Sequence, residues 1–225
     1  MDRRPPYPAD FGLIVASQSP RRHSLLADLG VPFRVVPSGA EEELEGYEAR
    51  VLAQLNALAK VRAAVLPPDV APGSFVLGTD TVVATARRIM GKPDSEREAA
   101  DMLAALSGRT HVVISGVALL RGLDDREEVL VGLAGEPPFK LGRRLRVDFA
   151  VTEVDFGPLQ EADIKAYVDS GEWKGKAGAY AIQGLAALFA AGIRGEYSNV
   201  VGLPLGLLAR MFDDLGFDLL SRTWS

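Results

Sequence analysis

A ten-residue apolar run, Phe75–Ala84, carries a carboxylate near its centre. Its aliphatic and aromatic side chains predict a buried strand, yet Gly78 and Asp80 are residue types that strand interiors usually lack. Side-chain alternation places both on one face, together with Val76 and Val82. A carboxylate among aliphatic side chains must be paired, metal-bound or shifted in its pKa, because burying an isolated charge is costly. Asp80 is therefore a candidate functional residue; an Asp held by backbone amides at a strand end is the structural alternative.

The composition limits the class of protein. The chain has 225 residues, of which 48% are hydrophobic, which suffices for one or two domains with a sizeable core. A net charge of −5 argues against broad binding to nucleic acid or anionic membranes, because that binding needs a clustered basic surface. The chain has no cysteine, so we expect neither a disulfide framework nor a thiolate metal site.

The first ten residues contain charges and three prolines but no apolar core of the kind that a signal peptide needs. No run approaches the roughly 20 apolar residues that span a bilayer. We therefore expect a cytoplasmic protein without a membrane partner. Its predicted organisation is a flexible N-terminal arm over residues 1–10 and a single α/β domain over residues 11–225.

A phosphate-binding turn is predicted near the N-terminus, where Ser17 follows a short β-branched strand. Ser19 suits a helix N-cap, and Pro20 suits the first helical position. Arg21 and Arg22 then lie in the first turn, where the helix macrodipole disfavours cations. Backbone N–H groups, two guanidinium groups and two serines form a plausible phosphate site. Solvated arginines beside an ordinary cap are the alternative.

A long helix is predicted from about Tyr47 to Leu66. Helical spacing gives it a main apolar stripe of Val51, Leu55, Leu58 and Val65. The opposite face consists of alanines with a single lysine, Lys60. Small residues permit another element to approach closely, which would direct Lys60 into a narrow cleft. A lysine that simply meets water is the alternative.

Two further charged stretches are candidates for the same chemistry. Lys92 stands between Gly91 and Pro93, two residues that constrain the backbone direction. Glu41–Glu43 form an acidic turn, which is either a solvated loop or a source of one metal ligand. His111 has no His or Cys nearby in the sequence, so we expect an ordinary role for it. Residues 121–144 are loop-like in composition, are predicted to form a hairpin excursion, and are the hardest stretch to assign.

Several sequence motifs together carry a family resemblance. In their order along the chain, they resemble the Maf family of nucleoside triphosphate pyrophosphatases over about residues 12–216. The motifs are Ala16–Arg22, Gly78–Val83, Gly91–Pro93, Leu106–His111, Lys176–Tyr180 and Val200–Pro204.

The resemblance implies a fold and an activity. The implied fold is α/β, with a twisted mixed β-sheet, flanking helices and two lobes around a deep nucleotide-binding cleft, as in inosine triphosphate pyrophosphatases. The implied activity is hydrolysis of nucleoside triphosphates to the monophosphate and pyrophosphate with Mg²⁺ or Mn²⁺, and a homodimer is compatible with it. The alternative is a nucleotide-binding regulator of septum formation that acts through a partner protein. A Rossmann-type transferase fits less well, because no glycine-rich turn follows the first strand.

The resemblance also implies roles for individual residues. Asp80 would accept the proton of the attacking water and, with Glu41, place the metal. Six residues would bind the triphosphate substrate: Ser17, Arg21, Arg22, Lys60, Lys92 and Lys176. Positioned cations, a divalent metal and a carboxylate are what phosphoryl chemistry needs.

Base preference is implied by Arg21, Thr81 and Gln183, whose combination resembles the subgroup that prefers dTTP and UTP, including modified forms. The carboxamide of Gln183 offers a donor and an acceptor to the edge of a pyrimidine. Two positions depart from the family pattern. Gly175 stands where an acid is common, and Ala181 stands where glycine is common. These two departures bear on the shape of the loop and on the base preference.

Overall fold

The computed structural model describes residues 4–40, 47–122 and 144–225. The predicted metal ligand Glu41 and most of the hard-to-assign stretch 121–144 lie outside these ranges. The helices are α1 (Pro20–Asp28), α2 (Ala49–Ala63), α3 (Glu96–Leu106), α4 (Glu161–Ser170), α5 (Tyr197–Val201) and α6 (Leu205–Asp214). Short 3₁₀ turns lie at Ala177–Ala179 and Leu185–Leu188. The strands are β1 (Leu13–Val15), β2 (Arg34–Val35), β3 (Phe75–Ala84), β4 (Ile89–Met90), β5 (Thr110–Arg121), β6 (Leu145–Phe156), β7 (Ala190–Arg194), β8 (Phe217–Asp218) and β9 (Thr223–Trp224).

The main sheet is mixed. Its strand order is β2-β1-β3-β5-β6-β7, with β4 paired to β3, and β8 and β9 form a separate hairpin. Strand β1 is parallel to both β2 and β3, whereas β4 is antiparallel to β3 and β7 is antiparallel to β6. The predicted mixed α/β class is therefore confirmed. None of the helices in the described ranges is long and apolar enough to cross a membrane.

The chain divides into two compact units. Unit 1 comprises Met1–Asp80, Gly116–Phe149 and Leu205–Ser225, and unit 2 comprises Thr81–Ser115 and Ala150–Pro204. The predicted cleft between two lobes stays a prediction.

The core of unit 1 forms where α2 packs on the sheet. Its buried cluster includes Ile14, Ala57, Leu58, Val61, Val76, Ala118 and Leu120. The contact is very close, because a β-carbon added at Gly78 would lie 2.2 Å from the carbonyl oxygen of Ala57. One added at Gly116 would lie 2.1 Å from the carbonyl oxygen of Ala53. Gly78 is thus explained by the approach of helix backbone to strand.

This close contact overturns the predicted apolar stripe of α2. The buried face comprises Leu52, Ala53, Asn56, Ala57, Lys60 and Val61, together with Ala49 and Leu58. Val51 and Leu55 are half-buried, and Val65 is 72% exposed beyond the end of the helix. The alanine face turns inward because glycines on β3 and β5 leave room for helix backbone and for little else.

The N-terminal segment, predicted as a flexible arm, makes specific contacts in unit 1 from Arg4 onward. Arg4 Nη2 donates to the carbonyl of Leu29 at 3.0 Å, and Arg222 Nη1 donates to the carbonyl of Pro5 at 2.8 Å. The Arg222 guanidinium also lies 4.6 Å from the ring centre of Tyr7. Tyr7 and Phe11 belong to an aromatic cluster that continues through Phe75, Phe212, Phe217 and Trp224. Residues 4–10 are therefore packed rather than loose.

In unit 2, α3 packs against α4 and against the 3₁₀ turn at Ala177–Ala179. Helix α3 begins at a Ser95 cap, whose side chain accepts from the Glu98 amide at 3.2 Å. Helix α4 ends at Gly171, which has a left-handed φ of 73°. These caps fix the helix ends that flank the motifs of unit 2.

Candidate active site

Asp80 is buried in β3 and is held by donors at both carboxylate oxygens. Lys60 Nζ lies 2.7 Å from Oδ1, and Asn56 Nδ2 donates to Oδ2 at 3.1 Å. Lys60 Nζ also donates to the Thr79 carbonyl at 3.2 Å. Asp80 is 4% exposed, Lys60 8% and Asn56 2%. Pairing was one of the alternatives expected for a buried carboxylate, and the structure shows it, with the lysine on the alanine face as the partner.

Local periodicity explains this geometry. Asn56 and Lys60 are four residues apart, so they lie one above the other on one face of α2. Gly78 and Asp80 are two residues apart, so they share one face of β3. The glycine lets the helix come close, and the two donors then reach the carboxylate. Sequence reasoning assigned no role to Asn56, although its spacing from Lys60 on the alanine face was the available signal.

The start of α1 brings Ser17, Arg22 and His23 together. Arg22 Nη1 donates to Ser17 Oγ at 3.0 Å, and the Ser19 amide donates to the same oxygen at 3.3 Å. The ring Nε2 of His23 lies 2.7 Å from the Ser17 carbonyl oxygen. Ser19 occupies the predicted N-cap position and Pro20 begins the helix, but no side-chain capping bond from Ser19 occurs in the described structure. Ser17 is buried, and Arg21 and Arg22 are half-buried.

Thr81 is joined to a chain of hydrogen bonds inside unit 2. Its Oγ1 lies 2.9 Å from Oγ of Ser115, and Ser115 Oγ donates to the Asn199 carbonyl at 3.3 Å. The Asn199 Nδ2 group donates to the Val113 carbonyl at 3.0 Å. This chain links the predicted specificity residue Thr81 to the helix that carries the Val200–Pro204 motif.

Two lysine motifs meet in unit 2. The Gly178 amide donates to the Gly91 carbonyl at 3.0 Å, so the segments that carry Lys176 and Lys92 are neighbours. Lys92 is exposed, while Lys176 is half-buried and donates to the Lys174 carbonyl at 3.0 Å. Gln183 is exposed, and its predicted role in base preference stays a prediction.

His111 and Tyr180 form a buried pair in unit 2, with Nε2 and the phenol oxygen 2.9 Å apart. Burial lowers the pKa of His111 to about 4, against weaker opposing effects of the Arg109 backbone and the Asp155 charge. Burial likewise raises the pKa of Tyr180 above its usual value. Both groups are uncharged at neutral pH.

The predicted convergence on Asp80 is thus confirmed for Lys60. For Arg21 and Lys92 it stays a prediction, and the role of Glu41 falls outside the described residues. Among the residues that the structure describes, no three His, Cys, Asp or Glu side chains are grouped so that they could hold a metal ion. Asp80 is a single carboxylate with oxygen lone pairs to offer, and further ligands would have to come from elsewhere.

Comparison with known proteins gives a family. A family model described as Maf-like protein matches residues 12–215. The chain belongs to the Maf family.

Its Maf relatives include bacterial proteins that are similar over nearly their whole length. A dTTP/UTP pyrophosphatase of Moorella thermoacetica is 44% identical over 216 residues, which are 93% of this chain and 98% of that protein. A dTTP/UTP pyrophosphatase of Syntrophotalea carbinolica is 41% identical over 212 residues, which are 94% and 88% of the two chains. Among solved structures, a HAM1 protein from Coxiella burnetii is 16% identical with a TM-score of 0.40, covering 80% of this chain and 91% of that chain. The relation of the fold to inosine triphosphate pyrophosphatases stays a prediction.

The backbone accounts for one of the two departures from the Maf pattern. Gly175 has a left-handed φ of 68°, and no atom in the part of the chain that the structure describes lies within 4 Å of the position that a β-carbon would take. Glycine adopts this conformation without strain, whereas an acidic side chain would be strained there. The Ala181 amide donates to the Tyr167 hydroxyl at 3.0 Å, which fixes the chain two residues before Gln183.

Proposed function

We propose that this Maf-family protein hydrolyses nucleoside triphosphates, with dTTP, UTP and their modified forms as substrates, to the nucleoside monophosphate and pyrophosphate. The observation that carries the proposal is the buried Asp80 carboxylate within Gly-Thr-Asp-Thr, held by Lys60 at 2.7 Å. Curated relatives at about 40% identity carry the name dTTP/UTP pyrophosphatase, which supports both the reaction and the pyrimidine preference.

In the proposed reaction, one water adds to the α-phosphorus and the anhydride bond between the α and β phosphates breaks. Asp80 takes a proton from the attacking water, and pyrophosphate leaves. A carboxylate has about four lone-pair sites, so bonds from Lys60 and Asn56 leave others to accept from water. The Lys60 ammonium would stabilise the negative charge that develops on the phosphate.

A divalent cation fits the oxygen chemistry of this site. Mg²⁺ is usually held by one or two carboxylates together with substrate phosphates. Asp80 would supply one carboxylate, and Glu41 is the second by family resemblance. The ion, Mg²⁺ or Mn²⁺, would neutralise charge on the triphosphate.

The triphosphate itself would be held by cations and backbone amides. Arg21 and Arg22 at the start of α1 suit this role, because a helix N-terminus that lacks acidic residues in its first turn favours anions. The Ser17 hydroxyl, placed by Arg22, lies beside them. Lys60, Lys92 and Lys176 are assigned to the same substrate by family resemblance, and Gln183, Thr81 and Arg21 to the base preference.

The test is pyrophosphate release from a panel of canonical and modified nucleotides with Mg²⁺ or Mn²⁺. We expect dTTP and UTP to be hydrolysed best. Asp80→Asn should lower kcat by about a thousandfold, which is within the range for loss of a general base. Asp101→Asn, on the exposed side of α3, is the matched control and should keep full activity.

Unchanged turnover in Asp80→Asn, with a folded variant by circular dichroism, would refute the mechanism. Tight triphosphate binding by the wild type without any turnover would instead indicate a nucleotide-binding regulator.

A further inference from the structure

We propose that Asn56 is a positioning residue for the hydrolysis: it holds Oδ2 of Asp80 and thereby fixes the orientation of the carboxylate toward the attacking water. This inference rests on the proposed function, because it assigns Asn56 a role that acts through Asp80. The supporting contact joins Nδ2 and Oδ2 at 3.1 Å between two side chains that are nearly excluded from solvent.

The direction of this hydrogen bond is determined by chemistry. An ionised carboxylate can only accept hydrogen bonds, so the Asn56 amide must present its nitrogen to Asp80. The opposite amide orientation would bring the Asn56 carbonyl oxygen against the carboxylate, which is repulsive. Asn56 is therefore a donor with one allowed orientation.

The two donors on α2, Lys60 and Asn56, affect the Asp80 carboxylate in different ways. The ammonium of Lys60 is a compact charge with rotatable donors at the end of a flexible stem, and it is shared between Asp80 Oδ1 and the Thr79 carbonyl. It supplies charge but constrains the carboxylate plane weakly. The short Asn56 side chain has two rotatable bonds and holds the second oxygen. Donors at both oxygens fix rotation of the carboxylate about its Cβ–Cγ bond.

Packing alone does not explain an asparagine at this position. The other residues on the buried face of α2, apart from Lys60, are alanine, leucine and valine. Asn is a weaker helix former than Ala or Leu, and burying its amide costs free energy unless the amide is bonded. The hydrogen bond to Asp80 offsets that cost, so we infer that the asparagine is present for its contact with Asp80.

The position of the water follows from this arrangement. With Lys60 on Oδ1 and Asn56 on Oδ2, the remaining lone pairs of Asp80 point in fixed directions. A reacting group held in the right geometry gains much of its rate from orientation, and small displacements are costly. Loss of Asn56 should therefore slow the chemical step and leave substrate binding nearly unchanged.

The experiment compares steady-state kinetics of dTTP hydrolysis for Asn56→Leu and Asn56→Ala with the wild type. Leucine has as many side-chain heavy atoms as asparagine but no hydrogen-bonding group, and alanine continues the alanine face without adding volume. Circular dichroism checks that each variant is folded. We expect kcat to fall between about tenfold and a hundredfold, with KM within about threefold of the wild type. Gln54→Leu makes the same amide-to-leucine change at a half-buried position of α2 and should keep wild-type kcat.

The outcomes separate this inference from the proposed function. A wild type that releases pyrophosphate, with Asn56→Leu and Asn56→Ala variants that keep its kcat, would overturn the role of Asn56 and leave the pyrophosphatase intact. A raised KM with unchanged kcat would also overturn it, because that result marks a binding residue. A wild type without turnover would overturn both. A lower melting temperature with unchanged kcat would mark Asn56 as purely structural and refute the proposal.

Discussion

Lys60 and Asp80 form a buried ion pair, with 10% of the lysine side chain and 6% of the aspartate side chain exposed. Removing one partner of such a pair leaves a buried charge uncompensated. We predict that Lys60→Met lowers the free energy of unfolding by about 3 kcal/mol, measured by chemical denaturation.

The chain contains a matched control for this ion pair. Lys165 and Asp169 are also a lysine and an aspartate, 2.6 Å apart, but their side chains are 75% and 60% exposed. Lys165→Met should leave the stability nearly unchanged, because solvent screens an exposed pair. Equal losses in the two variants would show that burial does not set the strength of the Lys60 pair.

The contact between α2 and the sheet predicts a strong effect of one added methyl group. Gly78→Ala and Gly116→Ala would each place a β-carbon near 2 Å from a helix carbonyl oxygen, at 2.2 and 2.1 Å. We expect each variant to lose about 3 kcal/mol of stability or to misfold, as overpacked cores do. The added methyl group would push α2 away from the sheet. This displacement should lower pyrophosphate release, because Lys60 and Asn56 move with the helix.

Gly39→Ala and Gly73→Ala are the controls for this prediction. Among the described residues, no atom lies within 4 Å of the added β-carbon at either position. Both variants should stay within about 0.5 kcal/mol of the wild type in chemical denaturation. A Gly78→Ala protein as stable as Gly73→Ala would show that the helix can yield at no cost.

Alanine substitutions at two glycines near Lys176 distinguish the cost of backbone strain from the cost of a steric clash. Gly175 and Gly178 have nearly the same φ, 68° and 66°. Within residues 4–40, 47–122 and 144–225, only the β-carbon at Gly178 would meet an atom, with Val83 at 2.8 Å. Gly175→Ala should cost about 1 kcal/mol from the left-handed conformation alone. Gly178→Ala should cost about 3 kcal/mol, because the clash adds to that strain. Equal losses in thermal or chemical denaturation would exclude the contact with Val83 as a cause.

The buried His111 predicts a pH dependence of stability. Its pKa is lowered from 6.5 to about 4 in the folded chain, chiefly by burial. Between these values the unfolded chain binds a proton that the folded chain does not, so stability falls as the pH drops from 6.5. The loss should reach about 3 kcal/mol near pH 4. His111→Gln should lack this component, and parallel stability curves for the two proteins between pH 7 and pH 4 would contradict it.

The site was predictable where it depends on local periodicity. Alternation in β3 placed Asp80 on the face of Gly78, and helical spacing placed Lys60 on the alanine face. Each pattern needs only a short stretch of sequence. Their direct pairing was not predicted, because Lys60 was assigned to the triphosphate; the prediction was that the helix face of Lys60 and the strand of Asp80 converge.

The orientation of α2 was not predictable from its own sequence. Leucine and valine gave the stronger apolar signal, yet the helix turns Asn56 and the alanines inward. The cause is the pair of glycines on β3 and β5, and Gly116 is 63 residues from Ala53 in the sequence. A periodicity within one helix contains no information about which partner it meets.

The contacts of the N-terminal segment were likewise not predictable from its local sequence. Its prolines and charges indicated an arm without structure, but Tyr7 packs against Phe11 and Phe217, at ring-centre distances of 4.7 and 6.2 Å. The partner Phe217 follows α6, near the other end of the chain. Contacts between such distant segments depend on the completed fold.

The contact at Gly78 and Gly116 restricts how the sequence can vary. In an ordinary core, a larger side chain is accommodated when a neighbour becomes smaller. Here the obstacles are the backbone carbonyl oxygens of Ala57 and Ala53, which every amino acid has. A search for second-site suppressors of Gly78→Ala should therefore recover no compensating substitution at position 57 and should return reversion to glycine instead.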